Sequence, residues 1–327
     1  MNNIFIYTTP HPAHKALADS LKCIGVPTHR TGIAKLPMVG RMLAATNVYN
    51  EIKKYNPKII LTESVSTDLL AGAYYKSKNP KVKLIGLVTD PKVKEMKGAP
   101  MADKIITNWA LDRADLLFVG SQMMFDMMPS IFKYKTKIFH PGIENIDLFL
   151  KKNAKHDKNF VFVGRLDDYK GTDSLPLLFS RFRMMSSASK LFVAGDGPNT
   201  ELFKNKIADH IYYIGKTKDS LFMSEVASIY VSAARFEPSG LAVVEAMAQG
   251  LVPIITEGVG YKEFVRQVDP RLIVTREEDA VEIANKLITD KALWTRLSLK
   301  CKDVVKNLSY KNSIKEFKSI LKDNNII

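Results

Sequence analysis

The feature that most constrains the fold is the regular alternation of short apolar, β-branched runs with longer segments of helical periodicity. Each half of the chain contains five such runs, which lie at residues 3–8, 58–62, 82–88, 115–120, 136–140, 160–164, 190–195, 211–215, 228–233 and 251–256. Apolar strands that alternate with helices are typical of parallel sheets built from βαβ units. We therefore predict an α/β protein.

A lysine-rich stretch, KKNAKHDKN at 151–159, separates the two series of predicted strands. The length of 327 residues suits two domains of ordinary size better than a single large one. We therefore predict a first domain at residues 1–150 and a second at 151–308. Residues 309–327 follow the pattern of a basic amphipathic helix.

The charge of the chain favours anionic partners. Its formal net charge is +14, and residues 1–150 carry 20 Lys and Arg against 12 Asp and Glu. Nucleotides, anionic lipid surfaces and nucleic acid all fit such an excess, and a surface tuned for solubility explains it equally well.

Cysteine content and hydropathy bear on the compartment. The two cysteines, Cys23 and Cys301, lie far apart in sequence, so we expect neither a disulfide framework nor a zinc site. The N-terminal residues lack the pattern of a signal peptide, and no apolar run approaches the length of a membrane span. We therefore expect a soluble cytoplasmic protein.

Several loops that follow predicted strands carry residues suited to a ligand, since parallel sheets bind ligands beyond the carboxyl ends of their strands. Gly164 ends one strand and is followed by Arg165 and Lys170, which can converge on one phosphate-bearing group. The sequence GDGP at 195–198 predicts a tight turn into a helix, and Gly260 lies in a glycine-rich loop after the strand at 251–256.

The stretch RFEPSGLAVVEAM, at 235–247, places two carboxylates in apolar surroundings. Such a carboxylate is costly unless something binds it. Glu237 precedes a Pro-Ser-Gly turn, and Glu245 lies in the helix that follows. Ser239 is predicted to cap this helix, while Gly240 leaves backbone N–H groups open to an anion. Carboxylates accept paired hydrogen bonds from vicinal hydroxyls, so one can hold a ribose and the other a sugar.

These loops, taken in order, resemble the retaining glycosyltransferases of the GT-B fold, family 4 type. The segments that carry the resemblance are GR…K at 164–170, GDGP at 195–198, E-PSGL-x3-E at 237–245, EAMAQG-x-VP at 245–253 and G-x-x-E at 260–263, with further matches at 113–122 and 139–149. The resemblance implies two Rossmann-like parallel-sheet domains facing a central cleft. The first domain would be on the acceptor side and the second would bind the nucleotide sugar, while the C-terminal helix at 309–327 would cross back to the first.

The resemblance also implies roles for single residues. Arg165 and Lys170 would bind the donor diphosphate and neutralise the leaving group, Glu245 would hold the ribose, and Glu237 the transferred sugar. Donor-binding backbone would come from Gly164, Gly240, Leu241, Ala242 and Gly260. The implied reaction moves a hexose, with retention, from a UDP- or GDP-sugar to an unidentified acceptor. The nucleotide sugar is then the substrate, and we expect no other cofactor. We also expect no metal, because no Asp-x-Asp pair ends an apolar strand.

The N-terminal half departs from the family pattern. The family usually has a Gly-Gly loop after its first strand, where the backbone approaches the donor phosphate, but this chain has TTPHPAHKAL at 8–17. His11 or His14 is a candidate for that contact, and a proline-started helix with a solvated histidine is the alternative. Asp90 is a candidate for contacting a sugar hydroxyl or the acceptor, or else forms an Asx turn before Pro91.

Two other functions stay open from the residues alone. One is a nucleotide-sugar epimerase or phosphorylase on the same fold, although a phosphorylase is expected to be longer and an epimerase does not need this glutamate pair. The other is a non-catalytic module that binds nucleic acid through residues 76–104, which hold eight lysines but few aromatic residues for base stacking.

A peripheral membrane contact is a further possibility for the first domain. Residues 36–55 set Met38, Met42 and Leu43 beside Arg41, with Lys53 and Lys54 following. A helix with an apolar side and basic flanks can lie on an anionic bilayer. An ordinary core-facing helix with solvated lysines has the same pattern.

Overall fold

The computed structural model of the protein describes residues 2–8, 11–28, 37–89, 98–204 and 210–327, without the side chains of 37–39 and 41. Its contacts divide the chain into two compact units: Met1–Gly142 with Tyr310–Ile327, which we call unit one, and Ile143–Ser309, unit two. Each unit contains a six-stranded parallel sheet with helices around it. The predicted α/β class with two Rossmann-like sheets is thereby confirmed.

Unit one is built on the sheet order β2-β1-β3-β4-β5-β6. Its strands are β1 Asn3–Tyr7, β2 Cys23–Pro27, β3 Ile59–Thr62, β4 Lys83–Val88, β5 Leu116–Val119 and β6 Thr136–Ile138. Its described helices are α1 Pro12–Ser20, α2 Pro37–Tyr55, α3 Thr67–Lys78, α4 Met101–Arg113, α5 Gln122–Met127 and the C-terminal helix Tyr310–Asp323, with a 3-10 turn at Ser130–Lys135. β3, β5 and most of β4 are buried on both faces, which explains their continuous apolar runs.

The C-terminal helix packs on unit one. The ring of Phe317 lies 5.0 Å from that of Phe118 and 5.6 Å from that of Phe139. Phe317 and Leu321 are fully buried in the core of unit one, so the apolar side of this amphipathic helix is accounted for by contacts within that unit.

Unit two is built on the order β12-β11-β10-β7-β8-β9. Its strands are β7 Phe160–Val163, β8 Leu191–Ala194, β9 Ile211–Gly215, β10 Ile229–Ser232, β11 Val252–Thr256 and β12 Ile273–Val274. Its described helices are α6 Ile146–Lys151, α7 Leu175–Met185, α8 Glu201–Lys204, α9 Met223–Val226, α10 Leu241–Ala248, α11 Lys262–Val268, α12 Glu277–Thr289 and α13 Lys291–Val305, with a 3-10 turn at Pro270–Leu272.

The boundary between the units differs from the predicted one. Unit two begins at Ile143 rather than after residue 150, because α6 inserts Ile146 and Phe149 into the core of unit two. Apart from Lys151, which ends α6, the lysine-rich stretch 151–159 is a loop within that unit, where the backbone N–H of Ala154 donates to the carbonyl of Gln249 at 2.9 Å. The lysine-rich composition of this stretch therefore indicates a surface loop and not the junction between the two units.

Each sheet has one point at which the strand order reverses. In unit one it lies between β1 and β3, and in unit two between β7 and β10. Open parallel sheets bind ligands at the carboxyl ends of the strands beside such a point. No helix in the described part of the chain has the length and apolar character needed to cross a membrane.

Candidate functional site

The switch point of unit two brings together the loop after β7 and the loop after β10. The backbone N–H groups of Arg235 and Phe236 both donate to the carbonyl of Tyr169, at 2.9 and 3.0 Å. Arg235 also forms an ion pair with Asp173, 2.6 Å from Nη1 to Oδ1. The two loops that carry most of the predicted site residues are thus fastened to one another.

Lys170 and Glu237 form an ion pair across these loops, between the Lys170 ammonium and Glu237 Oε2. The backbone N–H of Lys170 donates to Asp167 Oδ1 at 3.0 Å, which fixes the turn that presents the lysine. Burial lowers the pKa of Lys170 to about 8, and the carboxylate of Asp167 opposes that shift. The lysine therefore remains largely protonated at pH 7, as its ion pair with Glu237 requires.

The backbone of Glu237 is held by the loop that follows β11. Its N–H donates to the carbonyl of Gly258 and its own carbonyl accepts from the N–H of Gly260, both at 2.8 Å. A Cβ atom on Gly258 would lie 2.2 Å from the carbonyl oxygen of Ala234, so only glycine fits there. The backbone of the glycine-rich loop around Gly260 therefore lies close to the loop that carries Glu237.

The start of α10 corrects one prediction. Gly240, and not Ser239, occupies the cap position, with a left-handed φ of 111° and no side-chain cap. The carbonyl of Ser239 accepts a hydrogen bond from the N–H of Tyr261 at 2.6 Å. This pairing orients the backbone of Ser239 toward the neighbouring loop, so the turn into the helix falls on a residue that tolerates φ > 0. Leu241 and Ala242 form the first turn, half-buried.

Glu245 lies within α10, held by a partner that the sequence did not reveal. Ser220 Oγ donates to Glu245 Oε2 at 2.6 Å, and Gln249 Nε2 donates to the carbonyl of Ser220 at 2.9 Å. Burial raises the pKa of Glu245, while the Ser220 hydrogen bond opposes the rise. Ser220 lies in the loop after β9. The Glu245 carboxylate thus already accepts a hydrogen bond from a hydroxyl group.

Arg165 does not converge on Lys170. Its Nε lies 3.0 Å from Asp167 Oδ2, and its side chain is 68% exposed. It lines a cavity of about 430 Å³ at the ends of β7 and β8, and the lining residues are Val163, Gly164, Arg165, Ala194, Gly195, Asp196, Gly197, Lys216 and Thr217. Lys216 supplies a second cation that sequence reasoning missed.

Two glycines of the GDGP turn shape this cavity. A Cβ on Gly195, where φ is +142°, would lie 1.8 Å from the carbonyl oxygen of Gly164, and one on Gly197 would lie 2.4 Å from that of Leu166. Side chains are therefore excluded from the cavity floor, and polar backbone lies close to any ligand. Among the residues described, no three His, Cys, Asp or Glu side chains are grouped to hold a metal ion.

Unit one presents a second polar cluster at its own switch point. His11 caps α1, and His14 lies in the first turn of that helix. Both contact Glu63, which directly follows β3 and is 8% exposed. Glu63 was not predicted, although a polar residue at the end of an apolar strand is the signal that could have indicated it. Asp90 falls outside the described residues.

The predicted membrane-facing helix is partly described. Met42 and Leu43 of α2 are 52% and 48% exposed. Lys54 forms an ion pair with Glu51 at 2.7 Å, and Lys53 lies over the ring of Tyr49, 5.7 Å from its centroid. The side chains of Met38 and Arg41 are outside the described set. Of the basic segment 76–104, residues 90–97 are likewise outside it, and Lys76 pairs with Asp115.

Comparison with known proteins defines the class. Residues 145–307 match the model of the family described as Glycosyl transferases group 1. The chain is 30% identical over 192 residues to an uncharacterized glycosyltransferase of Haemophilus influenzae, and the aligned region covers 55% of this chain and 54% of that protein. It is 28% identical over 156 residues to a glycogen synthase of Acholeplasma laidlawii, covering 42% and 32%. The chain thus spans about half the length of the curated relatives it matches.

The fold is similar to that of a solved structure over nearly the whole chain. Alr3699/HepE of Anabaena, in complex with UDP and glucose, is similar with a TM-score of 0.76 at 14% identity, covering 98% of this chain and 99% of that one. At this identity the likeness concerns the fold alone, and it confirms the predicted GT-B fold class. Residues 145–307, which match the model of the glycosyl transferases group 1 family, make up nearly all of unit two.

Proposed function

We propose that the protein is a retaining glycosyltransferase that moves a hexose from a nucleotide-sugar donor to an acceptor. The observation that carries the proposal is the Lys170–Glu237 ion pair at the switch point of unit two, beside the N-terminus of α10. It places a cation for the donor diphosphate next to a carboxylate for sugar hydroxyls. Both residues lie inside the segment that matches the group 1 family.

In the proposed reaction, unit two binds the donor by its two ends. Glu245, which already accepts from one hydroxyl, takes the ribose hydroxyls, and Glu237 takes hydroxyls of the hexose. The diphosphate is bound by Lys170 and by the backbone N–H groups of Gly240, Leu241 and Ala242 at the start of α10. Arg165, whose exposed side chain lies apart from Lys170 before the donor binds, turns toward the diphosphate. Gly164 and Gly260 let backbone lie close to the donor.

The chemical step then needs stabilisation of the leaving group above all. The bond between C1 and the diphosphate oxygen breaks, and the acceptor oxygen bonds to C1 on the same face. The acceptor proton moves to an oxygen of the departing diphosphate. Lys170 and Arg165 neutralise the charge that develops there. Because side chains supply this charge, we propose that the reaction proceeds without a metal ion or other cofactor.

A UDP-sugar is the first donor to test, and a GDP-sugar is the second. Alr3699/HepE was solved with UDP and glucose, which favours uridine in a protein of this fold. An epimerase or a basic nucleic-acid-binding module is not favoured, because the matched relatives are glycosyltransferases and a glycogen synthase.

The experiment is a thermal-stability panel on the full chain with UDP-glucose, UDP-galactose, UDP-N-acetylglucosamine, GDP-mannose and duplex DNA. A ligand that binds only the folded state raises its melting temperature in proportion to RT ln(1 + [L]/Kd). We expect one nucleotide sugar to raise the melting temperature of the wild type and to raise that of Glu245→Gln by less. In the surface control Arg276→Ala the ligand should raise the melting temperature by as much as in the wild type. Stabilisation by DNA alone would contradict the proposal.

We further propose that unit one meets an anionic membrane surface, with the protein otherwise in the cytoplasm. The exposed Met42 and Leu43 on α2 provide an apolar contact, and the excess of basic residues in 1–150 provides charge complementarity.

A further inference from the structure

The cluster of His11, His14 and Glu63 occupies the place in unit one that the donor residues occupy in unit two. His11 and His14 follow β1, Glu63 follows β3, and the strand order reverses between these two strands. Glu63 and His14 are each 8% exposed, whereas His11 is only partly buried and keeps a surface that faces solvent. Ionisable groups gathered at a switch point indicate a site, because open parallel sheets bind ligands at the carboxyl ends of the strands there.

Hydrogen-bond geometry fixes where the protons of this cluster lie. Glu63 Oε1 accepts from the backbone N–H of His11 at 2.6 Å and lies 3.0 Å from His14 Nδ1. A carboxylate only accepts, so the Nδ1 of His14 carries a proton. The N–H of Ala13 donates to His11 Nδ1 at 3.3 Å, so that nitrogen is unprotonated. The proton of a neutral His11 is therefore on Nε2.

The charge of the cluster is unsuited to phosphate. Burial, followed by the nearby His14, lowers the pKa of His11 to about 4, while Glu63 opposes the shift. His11 is therefore neutral near pH 7, and its ring lies 5.2 Å from that of His14. A neutral N–H donor beside a carboxylate attracts an uncharged oxygen and repels a phosphate.

We propose that His11 binds a hydroxyl group of an uncharged sugar or polyol through its Nε2–H, with Glu63 and His14 as positioning residues. The site differs from the phosphate contact that the Gly-Gly loop makes in the family. Given the proposed transferase function, the ligand is the sugar or polyol part of the acceptor. Glu63 holds the backbone of His11, and the Ala13 hydrogen bond sets its ring, so both its position and its tautomer are fixed before the ligand arrives.

The test uses the full chain labelled with ¹⁵N-histidine. The imidazole signals are followed by NMR at pH 7.5 during titration with methyl α-D-glucopyranoside, methyl α-D-galactopyranoside, methyl α-D-mannopyranoside and glycerol, and separately with pyrophosphate. We expect at least one neutral probe to shift the His11 Nε2 signal saturably, and pyrophosphate to leave it in place.

Three variants separate ligand contact from helix capping. His11→Asn keeps a cap for α1, because its amide oxygen can accept from Ala13, but it removes the distal donor. We expect it to weaken binding of the neutral probe about two- to tenfold, as for the loss of one neutral hydrogen bond, with the melting temperature unchanged. His11→Gln, whose amide nitrogen can replace Nε2, should restore part of the affinity, and Lys15→Ala on the same helix should bind as the wild type.

Several results would overturn the proposal. They are a His11 signal that moves with pyrophosphate and not with any neutral probe, no response to any probe, or equal affinity in wild type and His11→Asn. Thermal stabilisation by nucleotide sugars is measured in parallel on the same variants. If nucleotide sugars do not stabilise the wild type, the result counts against the transferase function. If they stabilise it but the His11 signal does not respond to any probe, the result counts against the His11 site alone.

Discussion

The Lys170–Glu237 ion pair allows a quantitative test of how the candidate site is held together. We consider Glu237→Gln, Lys170→Met and the double variant. Each single substitution leaves one charge at the switch point without its partner. A hydrogen bond to a charged group is worth about 1.5–3 kcal/mol, and breaking a fully buried pair costs about 3–5 kcal/mol.

The exposure of the pair sets the expected magnitude. The side chains of Lys170 and Glu237 are 25% and 17% exposed, so solvent screens the pair in part. We expect each single variant to lower the free energy of unfolding of unit two by about 2 kcal/mol, at the lower end of the range for such pairs. With a coupling energy of about 1.5 kcal/mol, the double variant should lose about 2.5 kcal/mol rather than the additive 4.

The assay is urea unfolding followed by tryptophan fluorescence. The chain has two tryptophans, Trp109 in α4 of unit one and Trp294 in α13 of unit two. In a Trp109→Phe background, Trp294 reports unit two alone, since it is buried there and its Nε1 donates to the carbonyl of Ser228 at 3.1 Å. Additive losses, with a coupling energy near zero, would refute the reasoning that the two loops are held by this pair.

Three other outcomes follow from the site and the surface. Arg165→Ala should lower kcat of donor cleavage at least tenfold, because it removes a positive charge that stabilises the leaving group. EDTA should leave the activity of the wild type unaffected, and activity lost in EDTA and restored by Mn²⁺ would contradict this. Donor cleavage should fall as pH rises through about 8, because Lys170 then loses its proton, and a flat profile from pH 7 to 9.5 would count against Lys170 at the diphosphate. The wild type should sediment with vesicles of anionic lipid at low salt and be released as salt screens the charges. The variant with Met42→Ser and Leu43→Ser should sediment less than the exposed control Leu299→Ser. Equal sedimentation of the wild type with neutral and anionic vesicles would contradict the membrane proposal.

Local periodicity was sufficient to predict most of the sheets. The ten predicted strands all correspond to observed ones. In most of them the apolar run is buried, whereas β9 has half-buried residues on one face and exposed residues on the other. β2 and β12 were missed for physical reasons: β2 contains Gly25 and ends at Pro27, and β12 has two residues. Glycine and proline weaken a strand pattern, and two residues are too few to show one.

Residues of the site that depend on distant partners were not predictable from local pattern. Ser220 reaches Glu245 across 25 positions, and Glu63 reaches His14 across 49. The cap of α10 was misassigned to Ser239 because the competing hydrogen bond comes from Tyr261 in another loop. The motif spacing indicated which loops meet, whereas the pairing within them is set by tertiary contacts.

The central claim is that this chain cleaves a nucleotide sugar with retention, and the anomer released first from the donor tests it most directly. The donor selected by the thermal panel, in its α-anomeric form, is incubated with the wild type and with Glu237→Gln, and the products are followed by ¹H NMR before mutarotation. We predict that the nucleoside diphosphate and the α-anomer appear together in the wild type, and that Glu237→Gln slows both at least tenfold. Release of the β-anomer first, or cleavage in Glu237→Gln at the wild-type rate, would contradict the account.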